Sequence, residues 1–350
     1  MSHLLDFSLP PNLSAKEPPE RRGSRRRDAL RLLVLNRQTG EVTHSRFERL
    51  YDFLVPGDLL IFNASRTLPA SLSGWRESDK SRVEVRLASH LSDNSWLALI
   101  RSTLPQDCTV SEEKNSVISF EFGLNARLET PHREIPGMWK VRFSAGGSEL
   151  MDLIYRLGEP VRYKYVSKPW ELNYYQTVYA RDPGSAEMPS AGRAFTWKMV
   201  LHLRTMGIET AYITLHTGLS SYLDDELDRR HPTIAEEYSI GAQAASKIGV
   251  ARSAERRVIA VGTTVVRALE SAAQADGIVR AGHGYSGLMI KPDYSLRITD
   301  GILTGLHEPT ASHLELLSAF ISPVLLNEAY NEAVQLSYLW HEFGDLNLII

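Results

Sequence analysis

Leu32-Leu-Val-Leu-Asn36 is an apolar run that ends at Gln38-Thr-Gly40, and this turn signal between two apolar or alternating stretches predicts a β-hairpin. Pro56-Gly-Asp58 then introduces Leu59-Leu-Ile-Phe62, short and apolar enough for a buried strand. From about Ser71 to Phe143 the hydrophobic period is two: Val83, Val85 and Leu87 alternate with Arg82, Glu84 and Arg86, and the stretches from Val117 and from Trp139 behave alike. Short strands with turn-rich gaps and no helical pattern among them predict a small all-β unit, sandwich or barrel.

Beyond it the period lengthens. Leu150, Leu153, Ile154 and Leu157 fall at helical spacing, with Gly158 as the stop. Phe195 to Met206 reads as a helix closed by Gly207, and Ala211, Ile213 and Leu215 alternate with Tyr212, Thr214 and His216 in a strand. Val258 to Val261 reads as a strand, Val265 to Ala275 as a helix, and Pro309 to Phe320 and Pro323 to Ser337 as two helices with proline in the first turn. Gly282-His-Gly-Tyr-Ser-Gly287 reads as a loop before a strand at Leu288-Met-Ile290. The alternation predicts an α/β domain from residues 1–70 and 150–350, a mostly parallel sheet with helices, interrupted by a barrel-like β domain over 71–149. Ligands are then expected beyond the carboxyl ends of the strands.

Composition narrows the function classes. Lys and Arg number 39 against 42 Asp and Glu, so a net charge of -3 gives no overall field toward nucleic acid or acidic lipid. The most basic stretch is local: six arginines (21, 22, 25, 26, 27 and 31) stand against Asp28 alone, either as a solvated or disordered entry segment or as an arm for RNA phosphates. A single cysteine, Cys108, forms no internal disulfide and suits a reducing cytoplasm. No apolar run approaches the length of a membrane span, and a cytoplasmic monomer is expected.

Three segments could carry chemistry. In Arg257 to Glu270 a buried strand runs into Gly262, Thr263 and Thr264 open the next helix, and Arg267 sits in its first turn. Backbone N–H groups plus a guanidinium would hold a carboxylate or phosphate; the alternative is a capped crossover in which Arg267 makes a structural ion pair. His216 ends a strand before Gly218, and His307 follows another apolar segment; each is either an acid/base group or a hydrogen-bonded structural histidine. If these segments are neighbouring strands, His216, Thr263, Thr264 and His307 share one sheet edge. His307-Glu308 and His313 lack the four-residue spacing of a zinc helix, and no metal is assigned.

Taken in order, Asp6-Phe-Ser-Leu-Pro10, Pro56-Gly-Asp-Leu-Leu-Ile-Phe-Asn63, Tyr175-Gln-Thr-Val-Tyr-Ala180, Thr214-Leu-His216, Val258-Ile-Ala-Val-Gly-Thr-Thr264 with Arg267 and Glu270, Asp300-Gly-Ile-Leu-Thr304 with His307, and Phe343-Gly-Asp345 resemble the S-adenosylmethionine:tRNA ribosyltransferase-isomerase family of queuosine biosynthesis, over nearly the whole chain. The resemblance implies an α/β domain with an inserted β-barrel. It also implies transfer of the ribosyl part of S-adenosylmethionine, a co-substrate, onto 7-aminomethyl-7-deazaguanine in tRNA, with adenine and methionine released. That chemistry needs a base beside the sulfonium, a contact for the methionine carboxylate and a proton for departing adenine. Arg267 with Thr263 and Thr264 suits the carboxylate; His216, Glu236 and His307 are the acid/base candidates; Asp300, Tyr175, Gln176, Asn63 and Arg66 are substrate-binding candidates. The family's loop histidine is Ala194 here, and the second histidine of its His-x-Met-His-x-Glu motif is Ile234, after His231. A paralogue acting on another nucleoside or sulfonium, or a non-catalytic RNA-binding protein, are the alternatives.

Overall fold

Alternate residues of the central strands face two different cores. Leu33, Leu35, Leu59, Ile61, Val258 and Ala260 belong to one buried cluster, while Leu32, Val34, Leu60, Phe62, Ile259 and Val261 belong to another. A strand covered on both faces must be apolar at every position, which is why these segments read as continuous runs rather than as alternation. The computed structural model describes residues 5–23, 25–102, 113–163, 165–166, 168–222, 234–309 and 311–350. Cys108 and His231 lie outside the described residues.

The larger sheet has nine strands, in the spatial order Gly282–Ser286, Glu236–Ile240, Glu209–Leu215, Leu59–Asn63, Val258–Val261, Gly301–Gly305, Leu346–Ile349, Arg31–Leu35 and Val42–Arg46. Parallel pairs make its centre, from Glu209–Leu215 to Gly301–Gly305, and Leu346–Ile349 also runs parallel to Arg31–Leu35. The remaining four pairings, including both edges, are antiparallel. The hairpin expected around Gln38-Thr-Gly40 is Arg31–Leu35 with Val42–Arg46.

Helices Trp197–Thr205, Ala242–Ser253, Thr263–Ala272 and Pro323–Gln335 cover the sheet. Thr196 caps the first, its hydroxyl accepting from the Met199 N–H, and Ser322 caps the last in the same way. The helix expected over Pro309 to Phe320 is only the single turn and a half His313–Leu317; the described residues ahead of it are not helical. Gly282–Ser286 is an edge strand, not a loop, and Leu288 to Ile290 is not a strand. Gly284 leaves room there for the Tyr238 side chain of the neighbouring strand, whose hydroxyl would lie 2.6 Å from a Cβ and would have to shift.

The second sheet closes on itself. Ser71–Arg76, Arg82–Ser92, Ser95–Ser102, Met138–Phe143, Asn125–Pro131 and Val117–Ser119 pair antiparallel in turn, and Trp75 opposite Ser119 completes the ring. Closure removes the exposed edges that so short a sheet would otherwise present. Helix Gly147–Leu157 presses Leu150 and Ile154 into the barrel core, and Gly158–Glu159 then pairs with the first barrel strand. No helix among the described residues is long and apolar enough to cross a membrane.

One carboxylate fixes the centre of the larger sheet. Glu270, fully buried on helix Thr263–Ala272, accepts from the N–H groups of Arg297 (2.9 Å), Ile298 (3.1 Å) and Thr299 (3.0 Å) and from the Thr299 hydroxyl (2.9 Å). It thereby anchors the turn that feeds strand Gly301–Gly305. Glu270→Ala orphans these donors and is expected to lower stability by about 3 kcal/mol or more in urea unfolding; a loss below about 1 kcal/mol would show that the turn holds itself.

Candidate active site

Four parallel strands, Glu209–Leu215, Leu59–Asn63, Val258–Val261 and Gly301–Gly305, finish at one edge. His216, Gly262 with Thr263 and Thr264, and the Thr304 to His307 segment all follow from those ends, as the sequence anticipated, with Leu59–Asn63 inserted between two of them. Gly262 makes the turn possible: its φ of +102° lies in the region open to glycine, and helix Thr263–Ala272 starts at once. Asn63 laces the edge together. Its Oδ1 accepts from the N–H groups of Ser65 and Leu215 (both 3.0 Å), and its Nδ2 donates to Leu215 O (2.9 Å) and Thr264 Oγ1 (3.3 Å).

Arg267, one helical turn in, is 4% exposed and ion-paired with the equally buried Glu236 of the strand Glu236–Ile240. Glu236 Oε1 also accepts from the Gly218 N–H (2.9 Å), so the loop after His216 is drawn to the same carboxylate. The pair leaves Arg267 Nη1 buried without a hydrogen-bond partner among the described residues. Arg267 belongs to the wall of a cavity of about 710 Å³ between the strand ends and the barrel.

Thr263, Thr264, Arg267 and His307 line the sheet side of the cavity. Along another wall, Tyr165 donates to Glu342 Oε2 (2.7 Å) and Tyr163 donates to Glu187, which also accepts from the Ser220 N–H (2.7 Å). The two phenol rings lie 5.9 Å apart and nearly parallel, and Tyr165 stacks on His341 at 3.9 Å. His307 stacks on His313 at 4.5 Å, and shares a hydrogen bond with Thr304 Oγ1 (2.9 Å). Flat rings and polar tips around a volume of this size suit a small ligand with planar and charged parts.

The family model for queuosine biosynthesis protein matches residues 2–349. The chain belongs to the queuosine biosynthesis protein family. It is 38% identical over 350 residues to the S-adenosylmethionine:tRNA ribosyltransferase-isomerase of Moorella thermoacetica, covering 99% of this chain and 98% of that one. With the protein of the same name from Carboxydothermus hydrogenoformans it shares 37% over 360 residues, again covering 99% and 98%. The crystal structure of S-adenosylmethionine tRNA ribosyltransferase from Thermotoga maritima superposes with a TM-score of 0.55 at 28% identity, covering 99% of this chain and 100% of that one. The queuosine family member described here is thus an enzyme of the transferase class.

Within this family member the expected site residues divide. Thr263, Thr264, Arg267, Tyr175 and His307 line the cavity. His216, Glu236, Asn63, Gln176, Arg66 and Asp300 are not among its lining residues. His216 Nδ1 shares a hydrogen bond with Ser65 Oγ (2.8 Å), which meets Ser185 Oγ (2.6 Å), and burial lowers its basicity. Gln176 brackets the Thr67 backbone, accepting from its N–H (3.1 Å) and donating to its carbonyl (2.7 Å). Asp300 sits at the opposite end of its strand, accepting from the Val258 N–H (2.8 Å) and pairing with Arg252 (3.3 Å). Arg66 is exposed on strand Ser65–Thr67.

The two departures from the family pattern sit in apolar surroundings. Ala194 is 1% exposed in the apolar cluster with Phe62 and Phe195, and Ile234 packs against the barrel core. Five of the six arginines of the basic segment meet a partner in the fold. Arg22 donates to Phe343 O, Arg27 pairs with Glu20 (3.6 Å), Arg26 with Asp28 and Glu48 (2.9 Å each), Arg21 lies over Tyr174, and Arg31 donates to Leu336 O. These contacts lay the described part of the segment along the α/β body, with Arg21, Arg25 and Arg26 still exposed.

The sequence reading missed Tyr163, Tyr165, Glu187, His341 and Glu342, all on coil without periodicity. Burial raises Glu342 from the ordinary 4.5 to about 7, against the opposing hydrogen bond from Tyr165, and also raises Glu187. Burial, with His313 and His341 nearby, holds His307 well below 6.5 and therefore neutral. A carboxyl protonated in the fold to about pH 7 but ionised above 4.5 when unfolded favours the fold below pH 4.5, and that contribution is lost as the pH rises through 7. Urea unfolding from pH 5 to 8 should therefore show the wild type losing on the order of 2–3 kcal/mol relative to Glu342→Gln, which stays neutral. Parallel stability curves for the two proteins would mean that Glu342 ionises as a surface glutamate does.

Proposed function

We propose that the chain transfers and isomerises the ribosyl moiety of S-adenosylmethionine onto 7-aminomethyl-7-deazaguanine in tRNA, giving epoxyqueuosine-tRNA, adenine and methionine. The observation that carries this reading is the Arg267 guanidinium, buried and charged, with an N–H left unpartnered beside the first turn of helix Thr263–Ala272 on a cavity wall. A carboxylate would complete it, since the helix start and the guanidinium both favour negative charge there. In this reading the methionine carboxylate of S-adenosylmethionine takes that place, flanked by Thr263 and Thr264.

The remaining chemistry falls to the other walls. His307, neutral near pH 7, can take the proton beside the sulfonium, and Glu342, protonated to about pH 7, can deliver one to departing adenine. Glu236 acts through Arg267, holding its fork in place, and His216 braces the strand edge behind the site. Residues 1–70 and 150–350 make the catalytic domain in this account, and the inserted 71–149 domain contributes the far wall of the cavity through Arg86 and Arg101.

Mass analysis of a tRNA bearing 7-aminomethyl-7-deazaguanine, incubated with protein and S-adenosylmethionine, tests the reaction. A gain of the ribosyl-derived mass with release of adenine and methionine is expected; binding without product would assign the scaffold another acceptor. Arg267→Lys keeps a cation for Glu236 but loses the spare donor, and is expected to weaken S-adenosylmethionine by about 1–2 kcal/mol in calorimetry. Competition by methionine should weaken in parallel while adenine binding stays unchanged. If S-adenosylmethionine binds both proteins equally, the carboxylate is not at Arg267.

A further inference from the structure

On the barrel side of the cavity two guanidinium groups converge on one carboxylate, and a third arginine lines the same wall. Arg86, only 6% exposed, donates from Nε to Glu84 Oε1 (2.8 Å), and Arg101, from the paired strand, donates from Nη1 to Glu84 Oε2 (3.2 Å). Glu84 Oε1 also takes the Ser71 hydroxyl (2.6 Å), so its acceptors are largely used. Arg86 Nη2 reaches the backbone carbonyl of Arg162 at 3.5 Å, bringing the third arginine to the same place. The exposed Arg162 side chain has no hydrogen-bond or ion-pair partner among the described residues, and all three arginines line the cavity.

The other charged groups on this wall do not redress the balance. Glu187 is committed to Tyr163 and Ser220, Glu342 to Tyr165, and burial shifts both carboxyls toward the neutral form. Arg101 is made less basic by burial and then by the Arg86 charge beside it, a repulsion that an anion would relieve. Glu308, the remaining carboxylate of the lining, lies 3.5 Å from His341, so among the described residues the arginines of this wall carry an excess of positive charge on a concave surface, which suits a ligand with a diffuse negative group and room for bidentate contacts.

The substrates of the reaction proposed above narrow the choice, and the inference rests on that reading. The one carboxylate of S-adenosylmethionine is assigned to Arg267, adenine is neutral and the acceptor base brings a cationic amine, so the anion left over is the phosphodiester of the RNA strand. We propose that Arg86, Arg101 and Arg162 form a phosphodiester site for the strand that carries the acceptor base, holding its backbone while the base enters the cavity. Such a contact sets position and register and reads no sequence. It places an RNA contact on the barrel side of the active cavity.

Fluorescence anisotropy with a labelled anticodon stem-loop RNA, across a salt series, tests the site. Arg162→Glu should weaken the wild-type affinity about tenfold or more and reduce the slope of log affinity against log salt by about 0.7, one single-strand phosphate contact. Arg162→Gln should show a smaller loss of the same kind, and unchanged S-adenosylmethionine binding in both variants shows that the cavity remains folded. A stem-loop with one neutral methylphosphonate linkage beside the acceptor position should lose affinity for the wild type and little more for Arg162→Glu. The proposal is overturned by an unchanged affinity and slope in Arg162→Glu, or by losses from linkage and variant that simply add. Failure of the parent reading looks different: the wild type would bind the RNA through this wall yet yield no ribosyl-derived mass on tRNA.

Discussion

A guanidinium sealed beneath the end of a sheet cannot stand alone, and the pairing of Arg267 with Glu236 is the constraint around which the edge is arranged. Removing either partner would leave an uncompensated charge in a poorly solvated place. The pair joins the helix after the central strand Val258–Val261 to a strand three places away, and Glu236 also gathers the loop at Gly218. Asn63 lies between these elements and satisfies the Leu215 backbone on both its N–H and its carbonyl. Position at the edge is therefore set by buried polar groups, and Arg267, whose Nη1 has no hydrogen-bond partner among the described residues, lines the cavity.

The barrel solves a different problem. The ends of parallel strands give backbone donors and a few side chains, but only one side of a pocket. The closed sheet brings a second surface whose inward residues are consumed by its own core, leaving charged positions such as Arg86 and Arg101 for the cavity. The coil that returns from the barrel, carrying Tyr163 and Tyr165, and the loop before Leu346–Ile349, carrying His341 and Glu342, complete the enclosure. Aromatic stacking between these two segments, Tyr165 on His341, couples them directly.

What the sequence made legible follows from periodicity. Strands sandwiched between two layers announced themselves as apolar runs, the barrel as alternation, and the strand-to-helix turn at Gly262 as a glycine followed by two threonines. Thr263, Thr264, Arg267 and His307 could be named because they follow directly on such runs. Asp300 and Asn63 also adjoin such runs, yet Asp300 lies at the amino end of its strand and Asn63 bonds the Leu215 backbone, positions that a linear pattern does not distinguish. Glu342 and Tyr165 were invisible because coil carries no period, and a glutamate whose surroundings come from distant segments reads like any surface acid. Gly282–Ser286 escaped because an edge strand, bonded on one side, needs neither apolar content nor bulk.

The order of strands also has a consequence for how the chain comes to be folded. Leu346–Ile349 lies between Gly301–Gly305 and Arg31–Leu35, and the Arg31 N–H is received by Asp345, 314 residues away along the chain. Until that distant segment has been synthesised, the early hairpin has an open flank and the larger sheet is split, a topology whose loop closures make for slow, late assembly. The same segment leads in from His341 and Glu342. The cavity therefore gains its last wall in the step that unites the sheet, so a partly made chain presents neither a finished fold nor a finished pocket.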